Sequence, residues 1–432
     1  ISGSDIKEGE ATARLNSQGA LISNKHDPKL VQNADLVVMS SAISAENVEI
    51  LAARVEGIPV IQRAEMLGEL MRYRYGIAIA GTHGKTTTTS MIAEILSVAN
   101  VSPTFVIGGI LNSAGSGAVL GSGKHIVVEA DESDESFLKL KPLSSVITNI
   151  DRDHMGTYAY DFDRLKKSFI DFGNNLPFYG SLALCIDDLN ASEIMPSISR
   201  RILTYGFDSR AEYRGSGVRV DSTGRWIFKV DRGGSLASLE ISLTVPGYHN
   251  VRNALAAIAI ASDEGISDQS IKEALANFSG VGRRFEVSSG IIWRGRKLTL
   301  VDDYGHHPTE VEAVIETARK MWPGKKIAMV YQPHRFSRTR DLFDEFVNVL
   351  SKVDELMLLD VYDAGEMAID GASSKDLAAA MGRSKGECPA VFSCCEEALC
   401  KLEDFVESVD ILIVQGAGDI SSISKQLKAY NA

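Results

Sequence analysis

Apolar and polar positions along this chain repeat one rhythm: a short apolar run, a polar turn, then apolar residues three or four apart. Over residues 1–76 the runs "ALISN", "DLVVMSSAIS" and "NVEILAARVEGIPVI" read as a Rossmann-like βαβ unit. The opening "ISGSD" resembles the end of a second strand, so the first strand and the glycine turn that usually meets the ligand are expected to be absent from this sequence. From Gly76 the rhythm restarts with "IAIAGTHGKTTTTSMIAEIL" at 77–96, "HIVVEADESD" at 125–134 and "SSVITNIDRDHMGTY" at 144–158. A strand-like segment, "RWIFKVDRGG", and a helix, "NVRNALAAIAIASDEG", follow. "GVGRRFE", residues 280–286, reads as a linker by its glycines and charges. Beyond it "LTLVDDY", "KIAMVYQ", "ELMLLDVY" and "DILIVQGAG" alternate with helices such as "DLFDEFVNVLSKV". The pattern predicts an α/β protein of three domains: a Rossmann-like domain over 1–76, a central P-loop α/β domain over 77–283, and a Rossmann-like domain over 284–432.

Composition narrows this picture. A chain of 432 residues exceeds a single hydrophobic core, since cores stop growing near roughly 250 to 300 residues. With 44% hydrophobic and 24% charged residues the chain has the composition of a globular protein. The longest apolar stretch, 254–261, falls short of the roughly 20 residues that span a bilayer, and no signal peptide opens the sequence. No membrane partner is therefore expected. A formal charge of -12 argues against nucleic acid, because no basic stripe offsets it. The five cysteines form no C-x-x-C pair, so reduced thiols in a cytoplasmic protein are expected rather than a zinc site.

The stretch at 77–96 carries the first chemistry. It lacks the leading glycine of G-x-x-x-x-G-K-[ST], since Ile79 stands at that position, yet it passes from an apolar strand through glycines into a helix. Met91, Ile92, Ile95, Leu96 and Ala99 share one face of a helix that starts at about Thr86. Gly81, Thr82, His83 and Gly84 then form a loop at a helix N-terminus, where free N–H groups favour an anion. Lys85 can reach terminal phosphates, and Thr86, followed by Thr87, can offer its hydroxyl to Mg²⁺. The alternative is a tight turn with no ligand, for which β-branched threonines after a lysine are a poor choice.

Glu129 follows an apolar strand as a metal-holding carboxylate would, although the acidic run around it could be only a solvated turn. His154 follows the strand "SSVITNI"; a lone histidine is more often structural than a ligand. Parallel strands of one sheet would bring Lys85, Glu129 and His154 to one crevice. In the last domain Asp303, Tyr304, His306 and His307 fall in a strand-to-helix loop ahead of Pro308, which suits the first helical position. The next such loop, "QPHRFSRTRD", carries His334, Arg335, Arg338 and Arg340, whose guanidinium groups suit phosphates or carboxylates.

Taken in order, "GTHGKTTTT", "EADESD", "NIDRDHMGTY", "GYHNVRNALAA", "GVGRRFE", "DDYGHHPTE", "QPHRFSRTRDL", "DVYDAGE" and "QGAGDI" resemble the Mur ligases, ATP-dependent amide-forming enzymes of peptidoglycan synthesis. The resemblance runs along essentially the whole chain. It implies that Gly81, Thr82, His83, Gly84, Lys85, Thr86 and Thr87 cradle the phosphates of ATP. It further implies that Thr86 and Glu129 hold one Mg²⁺ and His154 a second. His249, Asn250 and Asn253 would meet adenine, with Arg283 and Asp303 on the phosphate and ribose side. Ser41 and Ala42 would lie near a uridine diphosphate. Tyr304, His306, His334, Arg335 and Arg338 would face the acceptor and the amino acid, with Lys85, His154 and Arg338 as the catalytic set. The versions of "QPHRFSRTRD" and "DDYGHHPTE" look like those of the alanine-adding members, which implies UDP-N-acetylmuramate and L-alanine as substrates. Two rivals use the same phosphate loop: a recycling ligase that attaches a tripeptide, and a nucleotide switch without ligase activity. The family's N-terminal glycine loop has no counterpart in this sequence.

Overall fold

The computed structural model describes residues 1–234, 236–385, 388–406 and 409–430. Its centre is a ten-stranded sheet. Strand Tyr75–Ala80 is apolar at nearly every position and runs between His125–Glu129 and Ser144–Ile147, parallel to both, with Ile79 opposite Glu129 and Ala80 opposite Ile147. Such unbroken apolar runs fit strands covered on both faces. One face carries the Lys85–Val98 and Tyr248–Asp263 helices, whose side chains Met91, Ile92, Ile95 and Leu96 join Ala254 to Ala261 in one core. On the other face Phe137, Phe169 and Phe172 pack together beneath Ile147 and Leu182. Beyond Arg201–Gly206 the sheet ends in an antiparallel set, Tyr213–Val220, Trp226–Arg232 and Leu239–Leu243.

A second sheet of six strands follows residue 285. The hairpin Glu286–Trp293 and Arg296–Asp303 leads into parallel strands in the order Ile411–Gln415, Ile327–Tyr331, Glu355–Leu359, Ala390–Phe392. Ile411–Gln415 lies between Arg296–Asp303 and Ile327–Tyr331, and the helices Pro308–Met321 and Phe343–Leu350 that follow those two strands pack on the same face of the sheet. Pro308 opens the Pro308–Met321 helix, and His307 caps it by accepting from Thr309 N at 3.3 Å.

The N-terminal βαβ pattern forms two parallel pairs, Ser2–Ser4 with Leu21–Ser23 and Val37–Met39 with Val60–Gln62, which are not hydrogen-bonded into one sheet. Each strand is three residues long, and Val31, Ile50 and Ala53 are the buried apolar residues before Met71. The expected helix "DLFDEFVNVLSKV" is present as Phe343–Leu350, and the segment read as the loop "QPHRFSRTRD" carries a short helix of its own, Phe336–Asp341, which ends where Leu342 takes φ -120°.

Candidate active site

Three parallel strands end side by side, and their loops gather around Gly81–Lys85. Gly81 and Gly84 adopt φ of 132° and 83°, which L side chains rarely take. A Cβ on Gly81 would sit 2.0 Å from Thr148 Oγ1, and one on Gly84 would sit 2.6 Å from Asn253 Oδ1. Glycine at both positions therefore lets the loop press against the neighbouring strand end and the Tyr248–Asp263 helix. The loop is held in shape by Asn149, whose Oδ1 accepts from His83 N at 2.8 Å while its Nδ2 donates to His83 O at 2.9 Å. Gly84 then opens the Lys85–Val98 helix, whose first N–H groups have no intrahelical acceptor.

Lys85 folds back over this loop. Its Nζ donates to Gly81 O at 2.6 Å and to both oxygens of Glu132 at 2.9 and 2.8 Å. Burial alone would lower the ammonium pKa, but the Glu132 carboxylate raises it, so Lys85 stays charged. Thr86 Oγ1 donates to Glu129 Oε1 at 3.0 Å, and Gly108 N donates to Glu129 Oε2 at 2.7 Å. A Cβ on Gly108 would meet that carboxylate at 2.9 Å, so glycine clears the space it occupies. A hydroxyl beside a carboxylate is an oxygen donor set suited to a hard cation such as Mg²⁺. Burial, and the charge of Arg338, lower the pKa of His154 despite Asp153, leaving a neutral imidazole of the kind a metal needs.

Two cavities flank these groups. One of about 300 Å³ is lined by His83, Gly84 and Thr87 from the loop, by His249, Asn250 and Asn253, and by Asp303 and Glu310 of the last domain. Asn253 Nδ2 donates to Asn250 Oδ1 at 3.2 Å, and burial drops His249 to about 4, so it presents a neutral ring. Burial raises Asp303 to about 6, against the pull of Arg284 and of N–H groups from Gly305 and Phe285. Arg283 departs from its expected place: its guanidinium donates to Asp302 at 3.2 Å and to Gly416 O at 2.6 Å, and Arg284 lines this cavity instead.

The second cavity, about 730 Å³, collects Ser41 and Arg63, Asp131, Asp153 and His154, and Arg335 and Arg338 of the last domain. Tyr304, His306 and His334 are in the lining of neither cavity. His306 and His334 rings lie 5.5 Å apart, His334 stacks on Tyr362 at 5.4 Å, and Arg283 and Arg284 face the Tyr304 ring at 5.4 and 5.2 Å. Ala42 is exposed and outside the lining of either cavity. Arg335 reaches Glu366 at 3.5 Å.

Sequence reasoning gave no specific role to Glu132, Asn149, Asp151, Asp153, His307 or Glu310. His83 Nε2 meets Asp151 at 3.2 Å and its Nδ1 meets Glu310 at 3.4 Å across the domain boundary. Burial disfavours its charge, yet these two carboxylates raise it to about 9. All six lie inside or beside the quoted motifs, so their presence was visible; their pairings, up to 227 residues apart in sequence for His83 and Glu310 (310 minus 83), were not. Among the described residues the cysteines are free, and the one three-residue group that could hold a metal is His83, Asp151 and His307. No helix among the described residues is long and apolar enough to cross a membrane.

Comparison with known proteins gives the family. Residues 1–75 match the catalytic-domain model of the Mur ligase family, 79–261 the Mur ligase middle domain and 283–418 the Mur ligase glutamate ligase domain. A UDP-N-acetylmuramate–L-alanine ligase of Psychrobacter sp. (strain PRwf-1) is 49% identical over 433 residues, covering 100% of this chain and 90% of that protein. The crystal structure of a UDP-N-acetylmuramate-alanine ligase from Thermotoga maritima superposes with a TM-score of 0.79 at 29% identity, covering 100% of this chain and 93% of the other. A murein peptide ligase from Psychrobacter arcticus 273-4 shares the fold, with a TM-score of 0.70 at 21% identity over 99% and 93% of the two chains. By sequence along its full length and by all three of its domains, the chain belongs to the Mur ligase family.

Proposed function

We propose that the protein joins L-alanine to the lactyl carboxylate of UDP-N-acetylmuramate at the expense of ATP, a step in making the peptidoglycan precursor. The observation that carries this reading is the juxtaposition of a phosphate loop in the central domain with an arginine-bearing loop of the last domain around adjoining cavities. A nucleotide switch needs the first and has no use for the second. Full-length similarity to an alanine-adding relative supports the choice of amino acid.

In this reading the loop amides and Lys85 bind the β- and γ-phosphates, after the lysine exchanges Glu132 for phosphate oxygen. His249, Asn250 and Asn253 receive the adenine. A carboxylate oxygen of the acceptor attacks the γ-phosphorus, the bond to the β-phosphate oxygen breaks, and ADP leaves an acyl phosphate behind. The amine of L-alanine, having shed a proton, attacks the acyl carbon and phosphate departs. Both reactants of the first step are anions, so fixed cationic groups lower the barrier without reorganising. Mg²⁺ held by Thr86 and Glu129, with a second ion at His154, would neutralise phosphate charge. Arg338 and Arg335 would hold the reacting end, and Ser41 lies where the sugar nucleotide enters. The reading sets the protein in the cytoplasm, where its product supports cell shape and division.

The test is ADP release with UDP-N-acetylmuramate and either L-alanine or the stem tripeptide. Release that requires the sugar nucleotide together with L-alanine is expected. Equal release without the sugar nucleotide would overturn the ligase reading, and preference for the tripeptide would reassign the amine donor.

A further inference from the structure

Arg338 is buried at the seam between the central and last domains, and it is already gripped. Its Nε and one terminal nitrogen donate to the two oxygens of Asp153, each at 3.0 Å, although the residues are 185 apart in sequence. The other terminal nitrogen donates to His334 O at 3.0 Å. Both side chains are nearly inaccessible, at 4% and 9% exposure. Two parallel N–H···O contacts at 3.0 Å between a buried guanidinium and a buried carboxyl are the geometry of a bidentate ion pair. A guanidinium has five N–H donors, more than these contacts use. Paired in this way it contributes directed N–H groups to the cavity rather than net charge.

Asp153 lies two residues beyond Asp151, whose N donates to Thr82 Oγ1 at 2.8 Å while its carboxylate meets His83 and accepts from Thr309 Oγ1 at 2.9 Å. The short segment from Asn149 to His154 thus touches the phosphate loop on one side and the last domain on the other.

We propose that Asp153 is a positioning residue that acts through Arg338: it fixes the guanidinium at the domain seam, so that turnover depends on the carboxylate while ATP binding does not. The proposal rests on the ligase reading for its kinetic expression, and on the pair's geometry alone for its structural one.

The test combines Asp153→Asn, Asp153→Glu, Arg338→Ala and the double variant Asp153→Asn/Arg338→Ala. Asp153→Asn is expected to lower kcat about 100-fold while the calorimetric Kd for ATP moves less than about 3-fold. In the Arg338→Ala background the same change should alter kcat by less than about 2-fold, because its target is gone. Removal of one partner from a buried pair can unfold a protein. Asp153→Glu keeps the charge and displaces it by one methylene, so a lowered kcat at an unchanged melting temperature is expected from it. A parental kcat in folded Asp153→Asn or Asp153→Glu, a matching loss of ATP affinity, or a further tenfold fall in the Arg338→Ala background would each overturn the proposal. If the parent releases no ADP, the ligase reading fails separately. Hydrogen exchange over Phe336–Asp341 then decides: faster exchange in Asp153→Asn, and no further gain in the double variant, supports the pair, and unchanged exchange overturns it.

Discussion

The loop of Lys85 and the loop of Arg338 each hold a cationic side chain against a carboxylate, but they are built differently. Lys85 is supported from within one domain: Gly81 and Thr82 carbonyls, Glu132, and a loop clamped by Asn149. Arg338 owes its strongest contacts to another domain, through both oxygens of Asp153. The contacts of Lys85 are complete within the central domain. Those of Arg338 are complete only when two domains meet, and on the ligase reading this difference would separate phosphate binding from turnover.

The largest effect is expected at the self-contained site. Lys85→Ala should lower kcat by about 1000-fold or more, because a point charge at the β- and γ-phosphates is lost. The variant also leaves Glu132 buried without its cation, so a lower melting temperature is expected, read by calorimetry. A Lys85→Ala protein with near-parental turnover would show that the loop is only a turn.

A smaller effect is expected at the edge between the two sites. His154→Ala should raise the Mg²⁺ concentration for half-maximal activity by about 10-fold, the scale of losing one support of a metal. Superimposable Mg²⁺ titrations of variant and parent would return this imidazole to a purely structural place.

The smallest effect comes from His83, which bridges the two regions through Asp151 and Glu310. Its folded pKa of about 9 lies above the unfolded value of about 6.5. The sign follows: its stabilising contribution is fully present below pH 6.5 and is lost as pH rises through about 9. His83→Gln should therefore flatten the fall in melting temperature between these values, by about 2 to 4 °C for each ~1 kcal/mol removed. A parental slope in the variant would show that other groups set the alkaline limit.

What could be read from sequence follows the same division. "GTHGKTTTT" declares itself because strand, glycines and helix are contiguous, and local backbone demands at Gly81 and Gly84 appear as residue choices. Apolar runs likewise announced the parallel strands of both large sheets. Asp153 was visible as one acid among several in "NIDRDHMGTY", but nothing local says that its partner is Arg338. Arg283 and Arg284 are adjacent and chemically alike; only the fold decides that Arg284 lines the cavity beside His83 and Asn253 while Arg283 turns to Asp302 and Gly416. The N-terminal strands were legible as strands, whereas their division into two pairs depends on pairing that periodicity does not encode.

The claim that turnover needs the cross-domain arginine and nucleotide binding does not is tested most directly by Arg338→Ala, with kcat and the calorimetric Kd for ATP measured on the same preparation. The expected result is a kcat lowered by about 100-fold or more with a Kd within about 3-fold of the parent, and little recovery in Arg338→Lys, since an ammonium cannot reproduce a bidentate fork. A Kd that rises as steeply as kcat falls would make Arg338 an ordinary nucleotide contact and contradict the division between the two sites.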